Sequence, residues 1–259
     1  MRQWKPSDAI DDVDSDAQLS NAVFITGTGT DVGKTIVTAG ILRYLRRAGV
    51  DAVSMKPVQT GAERAGDRFI APDLAVHHAA AGLTPTNDAL DVMAPYLYEP
   101  ACSPHLAGRM ANAYPDIDRI VACAEQLCAD HECVLIEGAG GILVPLDESV
   151  TMLDLMKRLA CPVVLVATRG LGTINHTLMS IEVLRHAGLE VLGVVFNETE
   201  PVERDFIRQD NPDSVRTFGA VDILGDVDYL QGFDPLSETV WEQFERCMPG
   251  LPTIRQSMQ

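Results

Sequence analysis

A single α/β domain, with a mainly parallel β-sheet and helices on both faces, is the fold class the sequence predicts, and three observations predict it. Short runs of β-branched and aliphatic residues recur along the chain, as strands covered on both faces require. Longer amphipathic stretches alternate with them, which implies βαβ units and right-handed crossovers. The first apolar run leads into a glycine-rich turn that opens directly into a helical stretch, the arrangement that places backbone amides at a helix start.

Asn21 to Thr26, NAVFIT, reads as the first buried strand, and Thr35 to Ala48, TIVTAGILRYLRRA, as the helix after it. Further strands are expected at Ala52 to Met55, Cys133 to Ile136, Val163 to Ala167 and Val191 to Phe196. Helices are expected at Asp116 to Ala129, Met152 to Leu159 and Asn175 to His186, the last stopped by Gly188. Thr60 to Pro115, rich in Gly, Pro, Ala and His, is the least regular stretch and reads as functional loop. Residues 1–20 carry Asp8, Asp11, Asp12, Asp14 and Asp16 with few large apolar residues. They are expected to form a disordered acidic tail, leaving 21–259 as the domain.

With 259 residues, 46% of them hydrophobic, the chain can bury about 70 to 75% of its unfolded surface in one core. Its net charge, 20 minus 37 or −17, excludes a non-specific nucleic-acid grip and an anionic-membrane surface, because both need a basic face. Any phosphate must therefore be held locally. The start of the chain has no apolar leader core, and no apolar run reaches the length of a membrane span, so a cytoplasmic location is expected. The six cysteines show no CxxC pair and are expected to be reduced, mostly buried thiols.

Chemistry concentrates in a few segments. Gly27-Thr-Gly-Thr-Asp-Val-Gly-Lys-Thr35 follows the first strand and opens a helix. Its glycines let amides converge on phosphate oxygens, Lys34 can reach the β- and γ-phosphates, and the Thr35 hydroxyl can bind Mg²⁺. This makes the expected fold P-loop NTPase-like, although five residues rather than four separate Gly27 from Gly33. Lys56, in KPVQTG, stands at the carboxyl end of the second strand, where ligands gather in open α/β sheets. Alone it reads equally well as a solvated loop residue. If the two βα units are adjacent, Lys34 and Lys56 share one rim.

Glu137, in VLIEGAGG, is expected at another strand end, placed to hold a metal or its water, or else to fix the turn. Asp73, in the loop after Lys56, offers a second acid, though such a residue is more often a helix cap. Leu171-Gly-Thr-Ile-Asn-His176 opens a helix whose free amides attract an anion, and His176 reads as structural.

In this order, GTGTDVGKT, KPVQTG, PYLYEPACSPHLA, EGAGG and LGTINH resemble the dethiobiotin synthetase family over roughly Val23 to Leu230. The five-residue spacing of the loop is that family's form. Two positions differ from residues frequent there: Gly29 stands where Asp is common, and Asp228 lies near a common Pro. The resemblance implies ATP- and Mg²⁺-dependent closure of a cyclic urea from 7,8-diaminopelargonate and CO₂ or bicarbonate, the penultimate step of biotin synthesis. It implies that Gly29, Thr30, Asp31, Val32, Gly33, Lys34, Thr35, Glu137, Gly138 and Asn197 bind nucleotide, with Asn197 at the adenine. Thr30, Lys34 and Lys56 are expected to serve the reaction, with Thr60 beside them at the phosphate or carbamate, and Thr35, Asp73 and Glu137 to hold Mg²⁺. Gly172, Thr173, Ile174 and Asn175 are expected to bind the substrate carboxylate across a homodimer with shared active sites.

A switch or partition ATPase of the P-loop class is the competing reading. Such proteins carry a second lysine five residues before the loop lysine, and Gly29 occupies that position. A glutamine-dependent amidating synthase would need a further domain, for which no room remains after Leu230.

Overall fold

The computed structural model describes residues 19–258. In chain order it contains β1 (Ala22–Gly27), α1 (Lys34–Arg47), β2 (Ala52–Met55), β3 (Val58–Thr60), β4 (Glu63–Ala65), β5 (Arg68–Ile70), α2 (Pro72–Ala81), α3 (Asn87–Met93), β6 (Tyr96–Tyr98), α4 (Pro104–Ala111), α5 (Ile117–Asp130), β7 (Cys133–Gly141), α6 (Met152–Leu159), β8 (Val163–Ala167), α7 (Thr173–His186), β9 (Val191–Asn197), α8 (Phe206–Gly219), β10 (Ile223–Val227), α9 (Glu238–Arg246) and α10 (Leu251–Gln256). Most of the expected acidic tail falls outside the described residues. Leu19, assigned to it, is instead buried with the core and bonds through its amide to the Leu159 carbonyl, so the packed domain begins before residue 21.

Six strands form the main sheet in the order β10-β9-β8-β1-β7-β2, and every pairing in it is parallel. Alternation along the strands feeds two cores, because successive side chains leave opposite faces. From β1, Val23 and Ile25 join Leu135 and Val164 beneath α1, α9 and α10, where Trp241, Phe244 and Ile254 are buried. Ala22 and Phe24 face the other way, with Val134, Ile136 and Val163, against α5 and α6. Burying a side chain such as Phe24 contributes roughly 1.5 to 3 kcal/mol. Toward the far edge, Leu165 and Phe196 pack with Ile181 of α7 and Val215 of α8.

The chain runs from β1 out to the edge strand β2, returns to insert β7 between them, and then crosses β1 to build β8, β9 and β10. That reversal puts the carboxyl ends of β1, β7 and β2 around one crevice, the usual ligand position in an open α/β sheet. The first two βα units are therefore not neighbours, as the shared-rim argument supposed. β7 stands between their strands, and the two lysines meet across its end.

The stretch from Thr60 to Pro115 is mostly regular rather than loop. It holds α2, α3 and α4 and the short strands β4, β5 and β6. Pro72 and Pro104 begin helices at positions that need no amide donor, and Gly82 ends α2 with φ 66°. The six cysteines are unpaired, but only Cys133 and Cys161 are buried and the other four are half-buried.

Candidate active site

At the carboxyl ends of β1, β2 and β7 lies a cleft of about 800 Å³, into which Thr30, Lys34, Thr35, Lys56, Asp73 and Glu137 all project. The loop from β1 to α1 supplies one wall. Thr28 donates its amide to the Val166 carbonyl, which pins the loop to β8. Gly33, the residue before α1, has φ 95°, and a Cβ there would collide with the Asn197 side chain, so only glycine serves. Lys34 is nearly buried, and its ammonium donates to the Gly29 carbonyl at 2.9 Å. Burial, with the Lys56 ammonium beside it, lowers Lys34 from 10.5 to about 8. A polyphosphate would relieve that strain, because its oxygens replace lost water and outweigh the repulsion.

Lys56, 4% exposed, is held by two carboxylates, 2.7 Å from Glu137 Oε1 and 2.7 Å from Asp73 Oδ2. Burial alone would lower it, but these two carboxylates hold it above its ordinary value. Burial would likewise raise Glu137, yet Lys56 and His77 hold it well below the usual carboxylate range. Thr35 Oγ1 donates to Asp73 Oδ1 at 3.1 Å and to Glu137 Oε1 at 3.2 Å. Asp73 lies in the first turn of α2 rather than in a loop, and its carboxylate turns to Lys56 and Thr35. Glu137 lies inside β7, which continues to Gly141, and not at its end.

Among the described residues no group of three His, Cys, Asp or Glu could hold a metal. One hydroxyl and two carboxylates nevertheless converge here. That all-oxygen, incomplete set fits Mg²⁺, which keeps several waters and completes its shell with phosphate oxygens.

The remaining expected residues divide. Asp31 with φ 59° and Thr60 line the cleft, whereas Val32 is buried beneath the loop. Gly138 packs against the Phe24 ring and offers its carbonyl to Lys56 at 3.3 Å, so it supports the lysine from outside the lining. Asn197 is buried behind Gly33, and its amide donates to the Val32 carbonyl at 3.2 Å. Gly172, Thr173, Ile174 and Asn175 open α7 as expected, with Gly172 at φ 97°, but they do not line this chain's own cleft. His176 is exposed.

Sequence reasoning missed three features. His77, on α2, is fully buried and joins Glu137 Oε2 at 2.8 Å to Ser54 Oγ at 3.1 Å. Ala101 to Pro104, leading into α4, line the cleft, although the sequence reading gives no site role to the motif PYLYEPACSPHLA that contains them. Arg169, just after β8, is fully buried and pairs with Asp226, with Asp228 at 3.3 Å and with Glu198 at 3.8 Å. Asp228 also accepts from Arg204 at 2.8 Å, which accounts for an acid at that position. No local pattern marks His77 or Arg169, since their partners lie far away in the chain.

The model of the AAA domain family matches residues 21–237. The chain is 42% identical over 212 residues to the ATP-dependent dethiobiotin synthetase of Halalkalibacterium halodurans, covering 82% of this chain and 86% of that one. It is 37% identical to the synthetase of Anoxybacillus flavithermus, covering 85% and 96%. Among solved structures, the septum site-determining protein MinD from Pyrococcus horikoshii, complexed with Mg-ADP, superposes with a TM-score of 0.53 at 17% identity, over 92% of this chain and 94% of that one. The MinC:MinD complex of Aquifex aeolicus gives 0.53 at 16% over the same shares. At those identities the likeness concerns the P-loop fold alone. The glycine-rich loop, the paired lysines and the two carboxylates thus sit on a chain that belongs to the ATP-dependent dethiobiotin synthetase family.

Proposed function

We propose that this protein closes the ureido ring of dethiobiotin from 7,8-diaminopelargonate and CO₂ at the expense of ATP, with Mg²⁺. The observation that carries the reading is the meeting of Lys34, Lys56, Thr35, Asp73 and Glu137 in one cleft. A carbamate formed from one amine and CO₂ is a poor electrophile until its oxygen becomes a leaving group. Its oxygen takes the γ-phosphoryl group, ADP departs, and the second amine attacks the carbonyl carbon. Phosphate then leaves with the C–O electrons, the attacking nitrogen loses its proton, and the ring is closed.

Two anions must meet in the phosphoryl step, and the lysines reduce their repulsion. Lys34 faces the phosphates from the loop. Lys56, kept charged by Glu137 and Asp73, is placed for the carbamate. Thr35, Asp73 and Glu137 would hold Mg²⁺, which supplies charge neutralisation at the phosphate oxygens. Thr30 and Thr60, both lining the cleft, would add hydroxyl groups for phosphate or carbamate. Asn197 would meet the adenine from behind Gly33.

We assign the substrate carboxylate to Gly172–Asn175 of a second subunit. The helix amides there attract an anion, and Leu171 beside them is 89% exposed, a large apolar side chain suited to a two-fold interface. We place the protein in the cytoplasm; no described helix is long and apolar enough to cross a membrane. A partition or switch ATPase shares the fold but needs no diamine. The deciding assay supplies purified protein with diamine, bicarbonate, ATP and Mg²⁺ and looks for dethiobiotin. Phosphate release independent of the diamine, without dethiobiotin, would overturn the proposal.

A further inference from the structure

Glu137 presents its two oxygens to different surroundings. Oε1 faces the cleft, 2.7 Å from Lys56 and 3.2 Å from Thr35. Oε2 points away from it and is taken by His77 Nε2 at 2.8 Å, while His77 Nδ1 meets Ser54 Oγ at 3.1 Å. All three side chains are buried, with His77 and Ser54 fully so. A carboxylate only accepts, so His77 Nε2 carries the proton and donates to Glu137. Ser54, on β2, fixes the ring from its other nitrogen, and α2 carries the ring to Glu137 inside β7.

We infer that His77 is a positioning residue that keeps Glu137 monodentate toward the metal and thereby sets a preference for Mg²⁺ over Ca²⁺. The inference rests on the proposed role of Glu137 as a metal-holding residue. With Oε2 engaged, only Oε1 is offered to the cleft. Mg²⁺ accepts single carboxylate oxygens in a small octahedral shell, whereas Ca²⁺ favours more ligands and readily takes both oxygens of one carboxylate. Freeing Oε2 lets Glu137 swing and chelate, which helps the larger ion. A residue that orients a ligand from outside the metal shell typically changes metal affinity about 10- to 100-fold when removed.

The test uses the full chain saturated with a non-hydrolysable ATP analogue, with Mg²⁺ and Ca²⁺ each titrated calorimetrically. His77→Leu should weaken Mg²⁺ binding about tenfold or more while leaving Ca²⁺ binding unchanged or tighter, so the ratio of affinities falls. His77→Gln, whose amide can still donate to Oε2, should recover most of the ratio. If His77→Leu does not fold by circular dichroism, Ser54→Ala, which frees the ring without emptying the site, should give a smaller fall in the same direction. An unchanged ratio in the folded variants, or equal weakening of both ions without recovery in His77→Gln, overturns the inference. Glu137→Gln separates the two levels. If it leaves Mg²⁺ affinity untouched, the metal role of Glu137 fails and the inference with it. If it weakens Mg²⁺ while the His77 and Ser54 variants do not, only the positioning role fails.

Discussion

Lys56, just after β2, meets Glu137, inside the neighbouring strand β7, at 2.7 Å, and almost no water reaches either. Their pairing makes each a structural dependency of the other. Removing one partner of a buried pair leaves an uncompensated charge and typically costs about 3 to 5 kcal/mol. Lys56→Ala should therefore lower stability as well as turnover, with ATP affinity affected less than diamine-dependent ring closure. Adding Glu137→Gln to it should restore much of the stability and none of the activity. Urea unfolding of both single variants and the double variant measures this, and additive losses would show that the pair is not coupled.

Lys34 is expected to behave differently. It is nearly buried with the Gly29 carbonyl as its partner and, among the described residues, no carboxylate at ion-pair distance, and its lowering to about 8 comes first from burial. An apolar side chain of similar length should thus be tolerated or preferred by the unliganded fold. Lys34→Met is expected to keep or raise Tm by a few degrees, the shift a gain of about 1 kcal/mol produces in a domain this size. Turnover should fall about 10²- to 10³-fold, the usual cost of losing a positioned donor. A destabilised Lys34→Met protein would mean that the ammonium serves packing rather than phosphate.

How much of this was legible in the sequence depends on the range over which each feature is written. The P-loop, α1 and the strands β2 and β8 are local patterns of glycine, lysine and β-branched residues, and they stand where they were expected. Helix α2 escaped because PDLAVHHAAA is small and apolar on most sides, without a clear polar face to set its period. In α8 the signal was broken by Pro212 and by six charged or amide side chains within fourteen residues. The Ser54–His77–Glu137 contacts join residues 23 and 60 positions apart, and the Arg169–Asp228 pair spans 59. Only the order of strands in the sheet brings such residues together, and periodicity does not encode that order.

His78, next to His77 on α2, gives an acid limit to stability. Its Nε2 is buried without a hydrogen-bond partner among the described residues, and burial, with His77 beside it, lowers the imidazole from 6.5 to about 4. Between those values the unfolded chain binds a proton that the folded chain refuses, so stability from this group is present above pH 6.5 and lost as pH falls toward 4. The loss approaches roughly 3 kcal/mol at the lower end. His78→Leu should flatten the thermal-stability curve across that window and leave the curve above pH 7 equal or higher. An unchanged slope between pH 6.5 and 4 would assign the acid sensitivity to other groups.

The proposal of shared active sites makes a quantitative claim about mixed dimers. A Lys34→Met subunit lacks a working phosphate loop but keeps its α7 start, whereas Ile174→Pro keeps the loop and loses one helix-start amide. Proline fits the first helical turn, since its fixed φ near −65° is already helical. Ile174 also packs beside the core formed by α7 and α8, so circular dichroism must first show that this variant folds. If the α7 start of one subunit completes the cleft of the other, a mixed dimer contains one site with both defects and one with neither. Random mixing in equal amounts makes about half of all dimers mixed, each with one sound site in two, so about one quarter of wild-type activity should return from two impaired parents. Ile174→Pro alone should raise KM for the diamine with ATP binding little changed, and the gain should therefore be read at low diamine. No recovery beyond the average of the parents, after subunit exchange is verified by mass spectrometry, would place the α7 start outside the partner's cleft.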